Sequence, residues 1–444
     1  MRNPKKGKAK AKSKAKVLQP EEAGSSQPPP LAAPSARTVW RPDTDAVGEG
    51  EELQHDPSAY DCLHSFSLEW PCLSLDVLRD DLGQPRTHFP HTIYAVTGSQ
   101  AAVAKSNVIT LFKLADIAGK KPSQDDSSSS DDDMSDEEEG QPRLSVRQVA
   151  HHGAINRIRS MPQQPSIVAS WSEAGHVQVW DFVAQLQQLR PDEPGTAKPG
   201  RLAPLQLQPH STEGYALDWS HMAQGHLASG DCRGNLHIWR PSPAGKWQVS
   251  PSYIGHQSSV EDIQWSPTEA TVFASCSADQ HICIWDTREQ TKPMLRVQAH
   301  DSDVNVIGWN PLTSYMLASG AEDGGLRVWD LRELSSGEHV ANFTYHRRPV
   351  TSLEWSPFEN SVIAACSADN QLSVWDLALE RDPEEEAAMA MAPETDAPSD
   401  LPPQLLFVHG GQENLKELHW HPQIPGMLTS TAGDGFNVFK PANV

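Results

Sequence analysis

Six cysteines are scattered over 444 residues, and no two stand at Cys-x-x-Cys or any other zinc-ligand spacing. Cys62, Cys72, Cys232, Cys276, Cys283 and Cys366 fall mostly in apolar segments and are expected to be reduced core thiols. No apolar run is long enough to span a membrane, and none follows the basic first residues as a secretory signal would. No membrane role is therefore expected, and an intracellular, reducing compartment is. Gly-x-Ser-x-Gly, His-Glu-x-x-His and the phosphate-cradling Gly-x-x-x-x-Gly-Lys-Ser/Thr are all missing. A binding protein without catalytic residues, metal or cofactor is expected. Hydrophobic residues make up only 37% and are concentrated rather than spread, so long polar stretches are left with nothing to build a core.

Acid is missing from one end. Residues 1–16 carry eight cations, Arg2 and seven lysines, and no carboxylate, while the whole chain has a net charge of −22. An acidic body with a basic tail suits a basic macromolecular partner plus an address signal. It argues against a duplex-DNA reader, because like charges repel phosphate. The alternating Lys-Ala tail has no fixed geometry for base readout. Nuclear or nucleolar addressing is its expected use, and nucleic acid is expected only indirectly or through this tail.

Residues 125–139 hold nine carboxylates, namely Asp125, Asp126, Asp131, Asp132, Asp133, Asp136, Glu137, Glu138 and Glu139. Ser128, Ser129, Ser130 and Ser135 each have an acid three residues later, a pattern favoured by acid-directed kinases. Such a stretch either aids solubility as a solvated loop or acts as a flexible polyanion that screens a client's lysines and arginines. A second acidic stretch, rich in Pro and Ala, spans 380–403 and includes Glu384, Glu385 and Glu386.

Between these stretches a histidine recurs with a tryptophan 29 residues later: His210 and Trp239, His256 and Trp285, His300 and Trp329, His346 and Trp375. The unit usually ends in Trp-Asp. A fixed spacing inside units separated by variable loops marks a repeat array of the WD40 pattern. An all-β, seven-bladed propeller is expected over 56–444, after a disordered tail of 1–55, with 116–143 and 380–403 as insertions. Residues 93–97 and 108–112 would belong to a degenerate first blade. The second blade would run from His151 and His152 to Trp180, and the seventh from His409 to Phe439. Residues 56–78 are expected to form a short helix or turn and then a strand that begins the propeller. Trp265-Ser-Pro, Trp309-Asn-Pro, Trp355-Ser-Pro and Trp420-His-Pro mark a second repeated place, where an aromatic ends a strand and proline stops the ladder.

His256, Ser275, Asp279 and Trp285 occupy the positions of a hydrogen-bonded tetrad in the WD40 family, as do His300, Ser319, Asp323 and Trp329 in the next unit. Ala365 stands where serine would in blade six, and Arg233 where aspartate would in blade three. Those two tetrads are expected to be incomplete.

Other segments are more specific than the repeat. Tyr60-Asp61 through Glu69-Trp70-Pro71, Asn156-Arg157 before Met161-Pro162-Gln163, and Glu213-Gly214-Tyr215 before Trp219 are three of them. Glu261-Asp262 before Trp265, and 405–411, add two more. Together they resemble the histone-binding branch of WD40 proteins, of the retinoblastoma-binding and chromatin-assembly type. With the acidic insertion and the Lys/Ala tail, the chain is similar to the glutamate-rich WD-repeat family. That resemblance implies a monomeric, nuclear, nucleolar and chromatin-associated protein whose partners are core histones and large-subunit ribosomal proteins. The branch uses a side groove beside an N-terminal helix and an acidic loop, to which 380–403 corresponds. It also uses the top of the funnel, to which Glu213, Tyr215, Glu261, Asp262 and Asn305 correspond. Ala154 and Pro349 replace charged positions of that ring, and Arg348 brings the opposite sign. Trp285-Asp-Thr-Arg288 and Trp329-Asp-Leu-Arg332 fit the Trp-Asp-x-Arg box of cullin-RING ligase substrate receptors. A ligase adaptor held by Arg288 and Arg332 is thus the competing expectation.

Overall fold

In the unit that holds His256, the inner strand Val260–Trp265 is followed by Val272–Ser277, His281–Asp286 and Leu295–Gln298, paired antiparallel in that order. The first three are rich in β-branched and aromatic residues, which suit a pleated surface covered on both sides. The computed structural model describes residues 55–120, 141–190, 202–242, 246–289, 291–380 and 401–444. Among them are seven four-stranded sheets and a single α-helix, Val183–Leu189. A blade buried on one face only would be marginal, and stacking against the next blade covers the other. One core cluster, for example, joins Leu236 and Ile238 of blade three to Ile263, Phe273 and Trp285 of blade four.

Six sheets follow the chain order, and the seventh does not. Glu417–Trp420, Leu428–Ala432 and Gly435–Pro441 receive their outer strand from the other end of the chain, Tyr60–Phe66. A 3-10 turn, Pro57–Ala59, capped by Asp56, leads into it. The segment expected to begin the propeller therefore closes its last blade instead, and blade one starts at Cys72–Leu78. Gly435 permits this closure: its φ is 149°, and a Cβ there would collide with the carbonyl oxygen of Phe66. No α-helix precedes Tyr60 among the described residues.

At the centre, each inner strand has an open edge whose N–H groups need acceptors. The neighbouring blade supplies them. Asp76 Oδ2 accepts from Ser160 N–H at 2.6 Å, Asp218 Oδ2 from Trp265 at 2.7 Å, and Gln264 Oε1 from Trp309 at 2.8 Å. Glu354 Oε2 accepts from Trp420 N–H at 3.0 Å, and Glu417 Oε2 from Leu75 at 2.7 Å. The tryptophans of the Trp-x-Pro mark end their inner strands as expected, and two of them tie blades together. Trp355 Nε1 donates to the Gly308 carbonyl at 2.9 Å and Trp420 Nε1 to that of Glu354 at 3.0 Å.

The tetrads depart from expectation in both directions. Blade four has all four members: Nδ1 of His256 faces Asp279 at 3.1 Å, and its Nε2 meets Ser275 Oγ at 2.7 Å. Trp285 Nε1 donates to the same oxygen at 2.8 Å. In blade five His300 and Trp329 meet on Ser319, but the Asp323 carboxylate turns to the Gly325 N–H at 2.9 Å. Blade six is complete because Ser373, two residues before Trp375 on the same strand, replaces the missing serine. It lies 2.8 Å from His346, whose Nδ1 faces Asp369 at 2.9 Å. Blade three is complete through Asp231, at 2.8 Å from His210, with Ser229 and Trp239. Burial raises Asp369, but the bond from His346 and two backbone N–H groups outweigh it and hold the carboxylate low. His300, without a carboxylate, is pushed down to about 4 by burial. Five of the six cysteines are buried and all are free; burial pushes Cys62, Cys72, Cys283 and Cys366 up to about 12.

Asp369→Ala should strip a buried histidine of its acceptor and cost about 1–3 kcal/mol of unfolding free energy. Asp323→Ala should stay within about 0.5 kcal/mol. Urea denaturation of both variants checks the contrast, and equal losses would refute it.

Candidate binding surface

Five inner strands slip by one residue near their start: between Cys72 and Ser74, Ile155 and Arg157, Val260 and Asp262, Val304 and Val306, and Val350 and Ser352. Such a bulge leaves one residue outside the ladder and re-aims it. Three of the unpaired residues are Asn156, Glu261 and Asn305, all at the end of the channel formed by the turns before the inner strands. The bulge gives two adjacent carboxylates opposite fates. Glu261 is half-buried on the rim, and burial holds it above the ordinary carboxylate range. Asp262, 5% exposed, turns into the wall, where it accepts from Ile263 N–H at 2.9 Å and from Ile307 of the next blade at 3.2 Å. Asp262 was expected to meet a client; its carboxylate is instead a strut between blades four and five.

The other expected residues line the same rim. Glu213 Oε2 accepts from Asn156 Nδ2 at 3.2 Å, and the Tyr215 carbonyl accepts from Arg157 Nε at 2.8 Å. Asn305 Nδ2 donates to Glu322 Oε2 at 3.0 Å. Asp303 and Glu322 add exposed acid to this end, while Arg347 and Arg348 make the blade-six sector basic.

Below the rim lies a cluster that the sequence expectations did not include. Glu417, 1% exposed, accepts from Arg157 Nη1 and Arg159 Nη2, each at 2.6 Å. With its bond to Leu75 it links blades seven, one and two. Burial raises this carboxylate, but Arg159 and Arg157 pull it well below its usual range. Nδ1 of His419 donates to Glu354 at 3.1 Å, and Nε2 stands 3.7 Å from Glu417, an ion-pair distance. Burial disfavours its charge, yet the two carboxylates raise it to about 10. The signal was present: Arg157 and Arg159, and Glu417 and His419, stand at alternate positions of inner strands, so one face of each strand carries charge.

Arg288 and Arg332 occupy the opposite end. Val260 pairs with Ser277 but Asp286 pairs with Val272, so the Trp-Asp-x-Arg turn is remote from Glu261. Both guanidinium groups fold back on their own aspartates, with Nε 2.9 Å from Asp286 and from Asp330. The guanidinium carbon of Arg332 also stands 3.8 Å from the centre of the Tyr315 ring. The acidic-run residues 125–139, with Ser128, Ser129, Ser130 and Ser135, lie outside the described residues, as do Glu384, Glu385, Glu386 and the basic tail. Their flanks are described. Arg143 pairs with Asp116 at 2.6 Å beside the first insertion, and Gln404 Nε2 donates to the Leu379 carbonyl at 3.0 Å beside the second. Both insertions join a third strand to an outer strand, the end where Arg288 and Arg332 stand. Among the described residues no group of three or more His, Cys, Asp or Glu is placed to hold a metal ion, and no helix is long and apolar enough to cross a membrane.

Glu417→Gln should leave two buried arginines without their counter-charge and cost about 3–5 kcal/mol. The His419 pair adds a pH signature. Its folded pKa lies above the unfolded value, so its stabilisation is complete below about pH 6.5 and fades as pH rises toward about 10. Thermal melts from pH 7 to 10 should fall more steeply for the native chain than for His419→Gln; parallel curves would remove His419 from the network.

A family model described as histone-binding protein RBBP4, or a subunit of the CAF1 complex, matches residues 50–117. Another, described as WD domain, G-beta repeat, matches residues 247–286, 291–330 and 337–376. The chain is 50% identical over 459 aligned positions to protein HEAT STRESS TOLERANT DWD 1 of Arabidopsis thaliana, covering 98% of this chain and 97% of that one. It is 50% identical to glutamate-rich WD repeat-containing protein 1 of Dictyostelium discoideum, over 92% and 85% of the two chains. Ribosome assembly protein rrb1 of Schizosaccharomyces pombe is 40% identical, over 95% and 86%. Among solved structures, the WD40 β-propeller domain of Doa1 superposes with a TM-score of 0.55 at 13% identity, over 86% of this chain and 96% of that one, a likeness of fold alone. The first match falls on the closing strand and blade one, outside the regular repeats, so it is not a by-product of repeat composition. The chain belongs to the glutamate-rich WD-repeat family, in the histone-binding, retinoblastoma-binding and chromatin-assembly branch of WD40 propellers.

Proposed function

We propose that the chain is a non-catalytic chaperone of basic nuclear proteins, with core histones and large-subunit ribosomal proteins as clients, and that it works in the nucleus, the nucleolus and on chromatin. The observation that carries this reading is the placement of acid: a net −22, with nine carboxylates in fifteen residues, on an insertion flanked by a rigid ring. A polyanion next to a preformed surface screens a client's charge without having to fold, and the surface supplies shape. The rim around Glu213, Tyr215, Glu261 and Asn305 receives an extended basic segment. Relatives named for glutamate-rich WD repeats and for ribosome assembly, and the histone-binding family match, favour such clients. Deleting residues 125–139 should weaken binding of H3–H4 by about tenfold at low salt and flatten its salt dependence, since exposed charge is screened within a Debye length. Unchanged affinity and slope in a titration series would sink the charge-screening part.

A second reading is a substrate receptor for a cullin-RING ligase. It rests on two exposed Asp-x-Arg forks in adjacent blades, and a relative whose name includes DWD favours it. Arg288→Glu with Arg332→Glu should abolish capture of the ligase adaptor and leave H3–H4 binding intact. Retained adaptor binding by the double variant would exclude this use of the forks.

A further inference from the structure

The turns between inner and second strands, and between third and outer strands, all lie at the end opposite the Glu213 rim. That end carries apolar side chains that the fold does not use. Leu312 is 52% exposed, Tyr315 41% and Phe358 36%. Leu312 and Tyr315 sit between Val304–Trp309 and Met316–Ala321, and Phe358 sits in the matching turn of blade six, between Val350–Trp355 and Val362–Ser367. Asn310 Nδ2 donates to the Asn360 carbonyl at 2.8 Å and ties the two turns side by side. Proline at 311 and 357 shapes both turns, so the apolar residues are held on short, fixed loops. Exposed apolar residues gathered on neighbouring rigid turns mark an interaction surface more often than the same residues scattered singly.

Charge names the occupant. Glu269, Glu333 and Glu359 are exposed around the patch. The nearest cations, Arg288 and Arg332, are neutralised by Asp286 and Asp330. Both acidic insertions join strands at this same end, as Asp116 with Arg143 and Leu379 with Gln404 show. A partner must therefore present an apolar spot bordered by lysine and arginine. We propose that this face, and not the rim, holds the folded body of a basic client, with Leu312, Tyr315 and Phe358 as its grip. The inference rests on the chaperone reading and assigns it a second surface: the rim takes an extended segment and the opposite face takes the globular part. Because Arg332 is stacked on Tyr315, a client seated here also covers one of the two forks.

Tailless H3–H4, the histone-fold domains alone, is the probe for this face, and polylysine is the charge-only probe. Binding is measured for the full-length chain, for Leu312→Ser with Phe358→Ser, and for Glu213→Lys with Glu322→Lys. Serine removes apolar surface without changing charge. The serine pair should weaken tailless H3–H4 by about tenfold or more, as loss of central anchors does, while polylysine binding and the melting temperature stay unchanged. The lysine pair should leave tailless H3–H4 unaffected. If the serine pair binds tailless H3–H4 as the native chain does, or loses polylysine equally, the face assignment is overturned and the chaperone reading stands. A change only in self-association, seen by sedimentation, overturns the assignment in favour of a second copy. If the native chain binds neither intact nor tailless H3–H4, the chaperone reading for this client falls with it.

Discussion

The innermost strand of every blade ends the sheet, and its free edge faces the channel. A free edge in a half-dry channel is costly, because each buried N–H that loses water needs another acceptor. Side chains of the preceding inner strand meet that need. Asp76, Asp218, Asp262, Gln264, Glu354 and Glu417 each accept a backbone N–H of the following blade. The polar residues of the channel are thus the mortar of the ring, and their loss would open neighbouring blades rather than merely alter a surface. The same demand accounts for carboxylates in strands that are otherwise apolar.

Satisfying the edge determines the rim as well. Where a bulge adds one residue, the following side chain reaches the neighbouring N–H and the bulged one is displaced toward the mouth. Glu261 and Asp262 show this division, one carboxylate on the rim and the other in the wall. Glu417 carries the principle furthest, since it serves Leu75 of blade one and at the same time balances Arg157 and Arg159 of blade two. A rim built on such struts is preorganised, which favours recognition of a charged segment without ordering cost in the receptor.

The repeat was legible because its spacing reflects geometry: three strands of near-constant length separate the histidine from the tryptophan in each blade. Blades with long insertions remained countable, since insertions fall after the tryptophan and leave that spacing intact. Tetrad membership was less legible. A hydroxyl can reach the same histidine and indole from a neighbouring strand, as Ser373 does in place of position 365, and an aspartate two residues earlier can serve as Asp231 does. The reverse holds at Asp323, where the right residue at the right position bonds a local N–H instead. Hydrogen bonding asks for an atom at a place, and sequence position is only one way to put it there.

What the sequence by itself determined is the repeat number, the strand order inside each unit, the sign of the charge and the family, because these follow from spacing and composition. The tertiary structure decided which strand closes the ring, since pairing Tyr60–Phe66 with Gly435–Pro441 joins segments with no local relation. It decided that Asp262 is a strut, that Glu417 is the centre of a network, and that the acidic insertions adjoin the end opposite the rim. Each of these depends on contacts between residues from a few dozen to several hundred positions apart. Closing the ring is what brings them together.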